Sequence, residues 1–218
     1  MNSCASSLVL VPTLCAAGLK SAIFPIPLMP QAVAHFLTET MFLCGFNQWR
    51  SQMTNSLDIA LSVALDLGLP VFPCMETLNE KGKVSKRPYT RNGFKDACRE
   101  EVQIRKWWGQ HPNALIGVPT GEQSGIFVID IDQSDVKDGE ASFHALGVND
   151  PMTCQTKTVS GGRHIIFKYP DGYNLKNTTS GPLRNHIDTR GNGGYVIWAG
   201  SKTCLGDYQY REGFTPNE

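Results

Sequence analysis

From Leu57 onward apolar positions recur with regular spacing. Between Leu57 and Leu67 they are punctuated by Asp58, Ser62 and Asp66, which predicts an amphipathic helix closed by Gly68. A short strand is expected at Pro70 to Pro73, followed by a basic loop from Asn79 to Gly93. A second helix is expected to start at Asp96 as its cap, partly bury Val102, Ile104, Trp107 and Trp108, and stop before His111-Pro112. Strand patterns come next at Ala114 to Val118 and Gly125 to Ile131, then a helix near Glu140 to Leu146. Further strands are read at Thr153 to Val159, Arg163 to Tyr169 and Tyr195 to Ala199, with Gly-rich turns at Ser160 to Gly162 and Gly191 to Gly194. The interleaving predicts an α/β or α+β domain, with a largely antiparallel sheet carrying helices on one face and chemistry on the other.

Residues 1–54 break this pattern. Their only charges are Lys20, Glu39 and Arg50, prolines cluster at Pro25, Pro27 and Pro30, and no period is sustained. They are expected to be an N-terminal extension without an assigned role. The alternatives are a poorly ordered tail, an extra helix around Gln31 to Cys44, or sequence upstream of the true start. The apolar run Ser6 to Leu19 is not preceded by Lys or Arg, is interrupted by Pro12, and is shorter than a membrane span, so neither secretion nor a membrane is expected. Residues 55–218 are long enough for one catalytic domain.

Twenty Lys plus Arg balance twenty Asp plus Glu, which argues against a polybasic protein that binds nucleic acid over its whole surface. The balance hides a segregation. Lys81, Lys83, Lys86, Arg87, Arg91, Lys95, Arg99, Arg105 and Lys106 share one stretch with only Asp96, Glu100 and Glu101, a candidate phosphate-binding face or a solvated helix surface. The seven cysteines are scattered without a C-x-x-C pair, and fit reduced thiols in a cytoplasmic protein.

Three segments carry candidate chemistry. The apolar strand Ile126 to Ile131 delivers Asp130 and Asp132 to one face, about 6 to 7 Å apart at Cα. Two carboxylates at the end of a buried strand call for positive charge, for which a hard divalent cation is a usual solution. The segment Ser160-Gly161-Gly162-Arg163-His164 is a tight turn launching a strand, where paired glycines let backbone amides approach an anion and Arg163 or His164 complete a phosphate site. The segment His186 to Tyr195 adds a third acid, Asp188. Arg190 follows as either a phosphate or template contact or a structural ion pair.

Taken in this order, the three segments resemble the motifs of the archaeo-eukaryotic primase superfamily, specifically the bifunctional DNA primase/polymerase N-terminal (prim-pol) domain of plasmid and phage replication proteins. Val71-Phe72-Pro73, Lys86-Arg87-Pro88, Trp107-Trp108, Ile116 to Gly121, Ser124-Gly125 and Gly200-Ser201 extend the resemblance across Leu57 to Tyr210. It implies a modified RNA-recognition-motif sheet as palm, packed with a smaller α/β unit. It also implies catalytic metals, Mg2+ or Mn2+, on Asp130, Asp132 and Asp188, and a nucleotide triphosphate on His164. Lys86 and Arg87 are further candidates for nucleotide or template contact. The implied activity is template-dependent nucleotidyl transfer for primer synthesis or extension. Its expected partners are a single-stranded DNA template, nucleoside triphosphates and a replicative helicase encoded separately or downstream.

Two rivals stand beside that reading. A rolling-circle initiator nuclease needs a His-hydrophobe-His pair, but His164 is followed by Ile165 and Ile166. An inactive or incomplete primase-derived DNA-binding module would have no need to keep Asp130, Asp132, His164 and Asp188 together.

Overall fold

The structure is a computed structural model that describes residues 55–78, 84–179 and 185–216. All of these lie in the unit Trp49–Glu218, one of two into which the chain divides; the other is Met1–Gln48. The expected extension over residues 1–54, with its helix around Gln31 to Cys44, lies outside the described residues.

Helix α1 (Ser56–Leu65) is followed by β1 (Phe72–Leu78), β2 (Val84–Pro88), a 3-10 turn (Gly93–Asp96), α2 (Glu101–Gln110), β3 (Leu115–Pro119) and β4 (Ile126–Ile131). A small hairpin of β5 (Gln133–Ser134) and β6 (Lys137–Asp138) leads into α3 (Gly139–His144). Then come β7 (Gln155–Lys157), β8 (Arg163–Lys168), β9 (Ile187–Arg190), β10 (Tyr195–Ile197), β11 (Lys202–Thr203), β12 (Gly206–Asp207) and β13 (Gln209–Tyr210). Two main sheets result, ordered β10-β3-β1-β2 and β13-β7-β8-β4-β9, and their strand pairings are antiparallel. The α+β expectation holds at this level.

Alternation along β4 sets up the interior. Ile126 and Val128 join Ile166 of β8, Ile116 and Val118 of β3, Ala60 and Val63 of α1, and Ile104 and Trp108 of α2 in one buried cluster. Ile131, one residue out of phase, points the other way and packs with Ile165, Ile187 and Phe143 of α3. The α3 helix lies on this second face, against β4 and β9, while α1 and α2 lie against β3 and β1 of the four-stranded sheet. Asp130, at two-residue spacing from Val128, projects from the face of β4 opposite α3.

Local readings also shift. Asn55 caps α1, its side chain accepting from the Asp58 amide at 2.9 Å, and the helix ends before the left-handed Gly68. Asp96 does not cap α2; it accepts from the backbone amide and side chain of Asn92, each at 2.8 Å, and α2 starts after Glu100. Val102 is 83% exposed, because Ile104 and Trp108 fall on the inward side of α2 at four-residue spacing and Val102 does not. The basic loop is partly a strand: Lys86 and Arg87 lie on β2, opposite Glu76 and Met75 of β1.

Trp108 fixes α2 to the start of α1 by donating from Nε1 to Ser56 Oγ at 2.8 Å, and its ring is fully buried. Trp108→Ala is expected to cost about 3–5 kcal/mol, measured by chemical denaturation, because it empties a large packed volume. Trp108→Phe should cost less while leaving Ser56 without this donor.

Candidate active site

Strand register assembles the site. Asp130 stands directly opposite His164 of β8 on one side and Asp188 of β9 on the other, while Thr156 of β7 lies opposite His164. Cross-strand partners project to the same face. Thr156, His164, Asp130 and Asp188 thus form one row across four strands, brought together from positions 130 to 188 by pairing alone. Asp132, two residues past Asp130, continues the same face just beyond β4.

Each acid has a cation. Arg190 donates to Asp130 Oδ2 from Nη2 at 2.7 Å and from Nε at 3.1 Å, and also reaches Asp188 Oδ2 at 3.2 Å. Burial opposes the charge on Arg190, but the carboxylates of Asp130 and Asp188 outweigh it and hold the guanidinium above its ordinary range. Lys137, on the β5–β6 hairpin, contacts Asp132 Oδ2 at 2.6 Å, and that bond raises its affinity for the proton. Among the described residues, no group of three Asp, Glu, His or Cys side chains is arranged to hold a metal ion.

His164 is buried, with Nε2 3.5 Å from Asp130 Oδ1. Burial drives its pKa below the ordinary imidazole range; Asp130 pulls it back up and Arg190 pushes it down further. Burial thus favours the neutral imidazole, which keeps one N–H to donate.

The row opens into a cleft of about 450 Å³ lined by Asp130, Asp132, His164, Ser160, Arg190 and Lys86 of the expected set. Tyr208, Tyr195, Asn177 and Thr158 also line it, and the sequence reading did not single them out. Tyr208 is the most telling omission. Its ring lies 6.0 Å from that of His164, and Lys86 Nζ sits 5.6 Å from its centroid. Burial, reinforced by Asp130 and Glu76, pushes its phenol well above the ordinary range, so it remains a donor. The alternation Tyr208-Gln209-Tyr210 was the available signal.

Asp188, buried in the row, is not among the residues lining this cleft, and four further expected contacts are not brought to it. Arg163 adjoins His164 on β8 and so faces the opposite side, buried, with Nη1 donating to Asp150 at 2.6 Å and Gln155 at 2.9 Å and Nη2 to Glu140 at 2.9 Å. Arg87 alternates with Lys86 on β2 and is exposed away from the lining. The Gly161 amide closes its own turn onto the Thr158 carbonyl at 3.1 Å, and so is engaged instead of awaiting an anion. Gly162 serves packing: a Cβ there would stand 2.0 Å from the Ile131 carbonyl oxygen, so only glycine lets the turn approach the end of β4.

A family model described as Prim-Pol, bifunctional DNA primase/polymerase, N-terminal, matches residues 60–217. The match spans the row, the cleft and both main sheets. No curated protein matches the chain.

Proposed function

Because the chain belongs to the bifunctional DNA primase/polymerase N-terminal family, we propose that its cleft carries out template-dependent nucleotidyl transfer, making or extending primers on single-stranded DNA in the replication of a plasmid, phage or similar element. The observation that carries this reading is the row His164–Asp130–Asp188 with Asp132 beside it on the cleft. In this reading the five-stranded sheet is the palm, a modified RNA-recognition-motif sheet, and the four-stranded sheet with α1 and α2 is the smaller packed unit.

The donor chemistry fits a divalent ion. Asp130, Asp132 and Asp188 supply only oxygen, and Asp130 and Asp188 already require a cation between them, a need Arg190 meets here. These three acids would hold Mg2+ or Mn2+, which when bound activates the attacking hydroxyl and stabilises charge on the departing pyrophosphate. His164, neutral and buried, donates a hydrogen bond to a phosphate oxygen of the incoming nucleotide. Lys86, on the facing wall, supplies the positive charge that His164 does not, and Ser160 and the protonated Tyr208 add donors. Arg190 ceases to bridge Asp130 and Asp188 when a phosphate group competes for it.

The second reading, a DNA-binding module without catalysis, draws on the same bridge, since Arg190 can neutralise the acids permanently. Extension of a labelled primer on a single-stranded template, in Mg2+ or Mn2+, separates the two. Template-directed products are expected, and products in a primer-free lane would add primase activity. A folded protein that binds the primed template and incorporates nothing with either metal would replace this reading with the second.

A further inference from the structure

Asn177 lines the cleft at the edge beside β9, and the backbone around it is shaped to receive it. Its Oδ1 accepts from the Gly191 amide at 2.9 Å. A Cβ on Gly194 would stand 2.3 Å from that oxygen and 2.9 Å from Thr120 Oγ1, so the slot exists only because residue 194 is glycine. Thr120 closes the slot by donating to the Gly191 carbonyl at 2.7 Å. A backbone N–H can be met only by the oxygen of a carboxamide, so the orientation of this side chain is fixed by chemistry. Nδ2 is then the outward atom, a donor with no partner among the described residues.

The position of Asn177 in the cleft says which part of the substrate it meets. His164 and Ser160 stand on the β8 side of the carboxylate row; Arg190, Gly193, Gly194 and Asn177 stand on the β9 side. Phosphoryl transfer places the attacking and leaving oxygens roughly in line on opposite sides of the reacting phosphorus. With the triphosphate on the His164 side, the strand carrying the attacking hydroxyl lies over the β9 edge. We propose that Asn177 is a binding residue for that strand, its Nδ2 donating to a backbone phosphate oxygen near the primer's 3′ end. This assignment rests on the nucleotidyl-transfer reading and extends it to the primer.

Asn177→Asp tests it sharply. Aspartate keeps an oxygen for the Gly191 amide and the same shape, but turns the outward group from a donor into a negatively charged acceptor. Asn177→Ala removes the outward group together with the Gly191 bond. Two measurements are made: affinity for fluorescent primed template by anisotropy, and apparent KM for primer and for nucleotide in extension. Asn177→Asp should weaken primed-template affinity and raise the primer KM by about tenfold, and Asn177→Ala by about threefold. The nucleotide KM and the melting temperature of Asn177→Asp should stay within about twofold and a few degrees of the parent. An aspartate variant that binds primed template like the parent overturns the proposal, as does a shift confined to the nucleotide KM. If the parent binds primed template but extends nothing, the nucleotidyl-transfer reading fails, and the anisotropy ratio still decides the role of Asn177.

Discussion

Asp130→Asn is expected to abolish primer extension, lowering the single-turnover rate on the order of 10³-fold or more, while the protein remains folded. The size follows from position. Asp130 stands between the other two functional side chains of the row, His164 on β8 and Asp188 on β9. Asparagine preserves the volume, and its carbonyl oxygen can still accept from Arg190, so the bridge and the buried His164 survive in shape. What is lost is the full negative charge that sets the cation affinity of the site. The melting temperature should therefore move by no more than a few degrees, since one of two carboxylates crowding Arg190 is neutralised and Asp188 remains to pair with it. Extension within tenfold of the parent, in a variant with parent-like melting, would falsify the central role of Asp130.

Much of this row was legible before any coordinates. An apolar run that ends in acids marks a central strand leaving the core, and Ile126 to Asp132 has that form. The Gly-rich turn before His164 and the short strand around Asp188 supplied its neighbours. Other features depend on pairing that a single segment does not encode. β2 reads as a charged loop because Val84 to Pro88 alternates weakly; only its five-residue register with β1 makes it a strand. The bridge from Arg190 to Asp130 joins residues 60 apart in sequence. Lys137 reaches Asp132 through a two-stranded hairpin too short to show periodicity. Arg163 is different: with His164 facing the site, alternation on β8 already required Arg163 to face away, and the resemblance of Gly161-Gly162-Arg163-His164 to a phosphate loop obscured that rule.

That last point yields the other large effect, and it lies in stability. The Arg163 side chain is 6% exposed, bonded to Asp150, Gln155 and Glu140, with its guanidinium 4.9 Å from the Phe143 ring centroid. Arg211 completes the network by donating to Asp150 at 2.6 Å and Gln155 at 2.9 Å. Removing one member of a buried ion pair strands the other. Glu140 and Asp150 each retain roughly 30% exposure, so water relieves part of that penalty. Arg163→Met is therefore expected to cost about 2–4 kcal/mol, a fall of roughly 5–15 °C in melting temperature. Extension per folded molecule should be unchanged, because the guanidinium lies behind the sheet from Asp130. The pH dependence adds a second signature. Burial tends to raise the Asp150 pKa, but the bonds from Arg211 and Arg163 outweigh it and hold the carboxyl below its ordinary range. A depressed folded pKa contributes stability that is present above the unfolded value near 3.9 and lost as pH falls through the folded one. The stability gap between parent and Arg163→Met should narrow over that acid range. An Arg163→Met protein that melts like the parent but shows a raised nucleotide KM would return Arg163 to the phosphate role its sequence neighbours imply.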